Sequence, residues 1–213
     1  MFVRHAEKER SLTADEFSLA IAKGGFRVKG FTFSGSHPPQ DLANADGISV
    51  NVGGWIWFPK DDVVCPNISD TPGRKRRSKN SKLVRRDCVS AVYGIFDPKG
   101  LLAPIICSLK IDLKELTILK LDWDDEIPDN LRQIWASNFE MIKDLKNVRY
   151  KRAVVPDDAV NLNMETIDFS DASQKMMCVA IYVRFLRKSG EHSSQLIFSR
   201  TKIVPEDMTL PRA

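Results

Sequence analysis

The chain has 213 residues, 43% apolar and 8% aromatic, which suits one large or two small packed domains and does not fit a disordered or fibrous chain. Cys65, Cys88, Cys107 and Cys178 form no C-x-x-C pair and have no histidine close by, so a zinc-finger reading is excluded and reduced, mostly buried thiols are expected. The formal net charge of +4 comes from one stretch, Arg74, Lys75, Arg76, Arg77, Lys79, Lys82, Arg85 and Arg86, which contains no acid and leaves the rest of the chain net acidic.

In chain order, Thr13-Ala-Asp-Glu16 has the form of a capping box, so a helix is expected from there to about Lys23, with Phe17, Ala20 and Ile21 on one face and Gly24-Gly25 as its exit. Phe26-Arg-Val-Lys and Phe31-Thr-Phe-Ser alternate apolar with polar side chains and predict a half-buried strand. Ile48 to Val52 alternates likewise and leads through Gly53-Gly54, read as a strand bulge, into Trp55-Ile-Trp-Phe. Residues 65–86, with Pro66, Pro72, Gly73 and the basic run, describe an exposed connector.

Beyond it, Pro104 is acceptable in a first helical turn, and Ile105, Leu109, Leu113 and Leu116 recur at helical spacing. A turn over 122–128 precedes a second helix, capped by Asp129, with the stripe Leu131, Ile134, Trp135, Phe139, Ile142 and Leu145. The period then changes to two. Ile167 and Phe169, then Met177 to Phe185, then Leu196 and Phe198 predict three strands, with Asp171-Ala-Ser-Gln separating the first two and Ser189-Gly190 turning into the third. The fold class is therefore α+β: a helix plus a small antiparallel sheet, a central helical section, and a three-stranded sheet.

The longest apolar stretch, residues 101–121, is interrupted by Lys110, Asp112, Lys114, Glu115 and Lys120, and the N-terminus lacks a signal-peptide pattern. No membrane partner and an intracellular location, cytoplasmic or nuclear, are expected. The basic run supports three readings: phosphate contact with a strong salt dependence, a nuclear import signal centred on Arg74 to Arg77, or a solvated connector. Gly24-Gly25 and Gly53-Gly54 lack the Lys-Ser/Thr that a phosphate-binding loop needs, and the acid pairs Asp61-Asp62 and Asp124-Asp125 read as solvated turn residues.

Phe96-Asp-Pro-Lys-Gly-Leu-Leu-Ala-Pro104, then Leu121-Asp-Trp-Asp-Asp-Glu-Ile-Pro128 and Trp135, resemble motifs of the BEL/Pao retrotransposon polyprotein family, in the region called the Pao retrotransposon peptidase. Gly24 to Phe31 with Gly53-Gly54 and Trp57 resembles the segment that follows the catalytic aspartates of a reverse-transcriptase palm. Phe169-Ser-Asp-Ala-Ser173 resembles the first strand of an RNase H domain. The resemblance implies a truncated piece of a Pol polyprotein: a palm-edge remnant (1–64), the basic connector (65–86), a helical thumb or connection-like section (87–150) and an incomplete RNase H-like domain (151–213).

It further implies that Asp171 is an inherited ligand of catalytic Mg²⁺. The partner carboxylates of that site are missing, since the family's next acid follows a T-L-P-R pattern and Thr209-Leu-Pro-Arg212 is followed only by Ala213. Mg²⁺ belongs to the parent RNA-directed DNA polymerase and RNase H, and none is expected here. The expected activity is weak, nonspecific association with an RNA/DNA hybrid through the basic run, alongside polyprotein neighbours. Two other readings remain open: an aspartic endopeptidase using Asp168 or Asp171, although no Asp-Ser/Thr-Gly triplet occurs, and a noncatalytic, host-adopted interaction module.

Overall fold

The computed structural model describes residues 7–71 and 82–205. Its elements are α1 (Glu7–Ala22), β1 (Val50–Val52), β2 (Trp55–Phe58), β3 (Val63–Pro66), α2 (Arg85–Tyr93), α3 (Ala103–Ile118), α4 (Asp129–Asp144), β4 (Tyr150–Lys151), β5 (Glu165–Ala172), β6 (Met176–Leu186) and β7 (His192–Ile203). The architecture is α+β, as expected. Two compact units divide it: residues up to Val64 with Tyr150–Ala153, and Cys65–Arg149 with Val154 onward.

In the first unit α1 is already helical at Glu7, so Thr13 sits inside the helix and does not cap it. The residues before Thr13 include Glu, Lys, Arg and Leu, all good helix formers, and threonine costs little in a helical interior. The exit is as expected. Gly25 has φ +79°, its N–H reaches the Ala22 carbonyl (2.9 Å) and the Phe26 N–H reaches that of Ile21 (3.3 Å), which together form a Schellman motif.

The strand expected over residues 26–34 is absent. Alternation describes how side chains are placed, but a strand also needs a neighbouring backbone to take its amides. Here the rings find one another instead: Phe31 lies edge-on to Phe17 at 6.2 Å and stacks near Phe33 at 6.4 Å, while Phe26 is exposed. Gly53 and Gly54, with φ +55° and +80°, form a two-residue hairpin turn between β1 and β2 and not a bulge, with Val52 opposite Trp55. Trp55 and Trp57 are buried from β2.

The sheet order is β1-β2-β3-β4, and β4 pairs with β3 through Val64 opposite Tyr150. This long-range return is fixed by a partly buried cluster. Arg152 bonds both carboxylate oxygens of Asp62 (2.6 and 3.2 Å) and lies 4.9 Å from the Trp57 ring centre, while the Trp57 indole N–H donates to Asp62 (3.1 Å). Asp62 is thus a positioned structural acid.

In the second unit, α2 begins inside the segment read as a connector. Its residues Cys88, Ala91 and Val92 are buried at helical spacing, and the buried Asp87 carboxylate accepts the Val84 N–H (3.2 Å). The helix docks on the acidic turn 121–128: its Arg85 and Arg86 amides bond the Asp125 and Trp123 carbonyls (3.1 and 2.9 Å), and Val84 bridges Glu126. α4 starts with Asp129 one position inside the helix, after Pro128, so that carboxylate pairs with Arg132 (2.8 Å) instead of capping. The buried stripe of α4 is Leu131, Trp135, Asn138 and Ile142, continued by Leu145. Ile134 faces outward and Asn138 takes its place, donating to Asp112 of α3 (2.7 Å).

The turn before α3 carries the Phe96 to Pro104 motif and has a clear mechanical purpose. The Asp97 carboxylate accepts the amides of Leu101 (2.9 Å) and Leu102 (2.7 Å). Gly100 has φ +73°, and a Cβ there would stand 1.9 Å from the Ser199 carbonyl oxygen. That close approach lets the Lys99 carbonyl accept the Ser199 amide (2.7 Å), while the Ser199 hydroxyl donates to Gly100 (2.5 Å). The turn therefore caps the outer edge of β7. Lys110 and Lys114, one helical turn apart on α3, reach the Thr201 and Val204 carbonyls further along (3.5 and 3.2 Å).

Candidate functional site

β5, β6 and β7 form an antiparallel meander in that order. Gly190, with φ +86°, turns β6 into β7 as the sequence suggested. Asp171, expected at the loop, lies within β5 opposite Cys178, and its Oδ1 accepts the Ala172 amide (2.8 Å). The ladder continues because Ala172 still pairs with Met177, and the turn is completed by Ser173, whose amide bonds the Met176 carbonyl (2.8 Å).

Side chains alternate across a strand, so Asp171 shares its face with Phe169 and, on the neighbouring strands, Cys178 and Thr201. None of these is a second carboxylate. Asp168, three residues away, is on the opposite face. Among the described residues no three His, Cys, Asp or Glu side chains group closely enough to hold a metal ion. A two-Mg²⁺ centre needs several carboxylates converging from different elements, and the described surroundings of Asp171 do not fit it. β5 is almost wholly exposed, including Phe169, which contacts Tyr182 edge-on at 5.8 Å.

Of the basic residues singled out in the sequence, Arg74, Lys75, Arg76, Arg77 and Lys79 lie outside the described residues. The other three are brought together at the acidic turn. Lys82 pairs with Glu126 (2.7 Å), Arg85 donates to the Leu121 carbonyl, and Arg86 forks onto both oxygens of Asp124 (3.0 and 2.8 Å). Arg85 and Arg86 also lie over the Trp123 ring at 5.6 and 5.7 Å. The hydrogen bond from Lys82, opposed by desolvation and helped by Arg132, holds Glu126 below its ordinary carboxylate value. Asp124 and Asp125 are turn acids, as expected: Asp125 accepts the Asp122 amide (2.8 Å).

Cys65 and Cys88 are buried, and Cys178 is exposed. Burial pushes the Cys65 thiol up, partly opposed by Arg149. Among the described residues no helix is long and apolar enough to cross a membrane.

Sequence reasoning missed one feature, a second group of cations. Lys110, Arg200 and Lys202 line a cleft of about 810 Å³ between the start of α3 and the strands β6 and β7. They come from elements 90 residues apart, and alternation along β7 was the only local sign that Arg200 and Lys202 share a face.

No curated protein and no solved structure matches the chain. Residues 84–213 match the Pao retrotransposon-like RNaseH-like domain, a span that takes in α2 to α4, both docking turns and the whole β5-β6-β7 meander. With most of its length inside that match, the chain belongs to the Pao retrotransposon RNaseH-like family.

Proposed function

We propose that this segment of a retrotransposon Pol polyprotein associates with nucleic acid, an RNA/DNA hybrid in the first instance, and does not cleave it. The observation that carries this reading is the setting of Asp171, in a β5 segment that resembles an RNase H first strand: its same-face neighbours on β6 and β7 are Cys178 and Thr201, and among the described residues no group of His, Cys, Asp or Glu side chains could hold a metal ion. Asp171 is then an inherited ligand that lacks partner carboxylates among the described residues, and the proposed association needs no Mg²⁺. The helix and hairpin of the first unit support the resemblance of residues 1–64 to a palm edge, and polyprotein neighbours are the natural protein partners.

An aspartic peptidase reading gains little, because two aspartates must face each other to share a proton and the β5 pleat sends Asp168 and Asp171 to opposite sides. The test is binding and cleavage of a labelled RNA/DNA hybrid by the purified chain, with and without Mg²⁺. Binding that falls steeply with salt, with no RNA cleavage and no change in Asp171→Asn, is the expected result. Mg²⁺-dependent cleavage abolished by Asp171→Asn would overturn the noncatalytic reading, and absence of binding at low salt would overturn the association.

A further inference from the structure

We infer that the cleft between α3 and β7 is a phosphate-backbone groove, the surface on which the proposed nucleic-acid association takes place. The inference rests on that association and adds a location to it, formed by residues other than the basic run.

Three positive side chains converge there. On β7, Arg200 pairs across the ladder with Val179 and Lys202 with Met177, so the two cations lie two residues apart on one face of the sheet, with Phe198 two residues before. Lys110 comes from α3, its ammonium held at the Thr201 carbonyl (3.5 Å) between them in sequence. None of the three has a carboxylate partner among the described residues. This contrasts with Lys82, Arg86, Arg132, Lys143, Arg152 and Arg184, each of which is ion-paired.

The acid that lines the cleft, Asp97, has both oxygens occupied by the Leu101 and Leu102 amides. With one carboxylate against three cations the cleft is net positive, and an anion entering the groove relieves the repulsion among the cations. A nucleic-acid backbone supplies phosphates at regular spacing, and the partly buried Phe198 ring beside the cations offers a surface on which a base can stack. Lys99, Gly100 and Lys110 bond to β7 and Lys114 to Val204 just beyond it, so the edge that carries the cations is tied to α3 and the turn before it.

The test compares hybrid binding across a salt series for the wild-type chain, Arg200→Ala/Lys202→Ala and Arg184→Ala. Arg184 is an ion-paired cation of β6 and controls for loss of charge in general. Circular dichroism establishes that each variant is folded. The expected result is an affinity loss of about tenfold or more for the double variant and a log–log salt slope shallower by roughly 2, with Arg184→Ala close to wild type. A double variant that binds like wild type overturns the groove and leaves the association standing. No binding by the wild-type chain overturns both. Competition by polyglutamate as effective as that by unlabelled hybrid also overturns the groove as a nucleic-acid site, because the ligand would then be an acidic peptide.

Discussion

Gly100 shows how a single residue can decide a docking surface. Its φ of +73° favours glycine, and the Ser199 carbonyl occupies the space a side chain would need. Because the blocking atom is backbone of the neighbouring strand, Gly100→Ala should cost about 3 kcal/mol or more, read as a lower urea midpoint with an unchanged m-value. Asp97→Ala removes the acceptor for two amides and should cost about 1–2 kcal/mol without displacing β7. The sequence motif made both positions visible through its glycine and aspartate. It did not show that the turn's partner is a strand about 100 residues further on, because nothing local to residues 96–104 encodes Ser199.

At the scale of elements, α3 and the three C-terminal strands were legible because the apolar residues of α3 recur at helical spacing and those of the strands alternate with polar ones over long runs. α2 was not: its apolar face is short, and the basic run ahead of it gave the segment the look of a solvated connector. The acids that neutralise Lys82 and Arg86 come from the turn before α4, so the sequence showed an unbalanced charge where the fold places ion pairs. Glu126 is the hub of that turn, taking Lys82 and Arg132. Its folded pKa is depressed, so its contribution to stability is present above the unfolded carboxylate value and is lost as pH falls through the folded value. The gap in urea midpoint between wild type and Glu126→Gln should therefore be open at pH 7 and narrow steadily below about pH 4.5. A gap that stays constant with pH would mean that the pairing contributes nothing.

For the whole molecule, the division into two units predicts local unfolding that follows the units and not the order of the chain. Asp62→Asn removes the charge that holds Arg152, and should speed hydrogen exchange at Trp57 and Val64 while leaving Leu113 and Trp135 unchanged. Uniform acceleration throughout would mean one cooperative unit. By itself the sequence determined the α+β class, the helical stripes, the three-stranded meander and the family, since each is written in the periodicity or the order of neighbouring residues. Tertiary structure alone decided the rest: β4 joins the first unit, residues 26–34 form no strand, Asp171 has no second acid grouped with it among the described residues, and Lys110 lines one cleft with Arg200 and Lys202. Each of those outcomes depends on which distant backbone arrives alongside, and that is settled by packing and hydrogen-bond satisfaction across the folded chain, not by any local pattern of side chains.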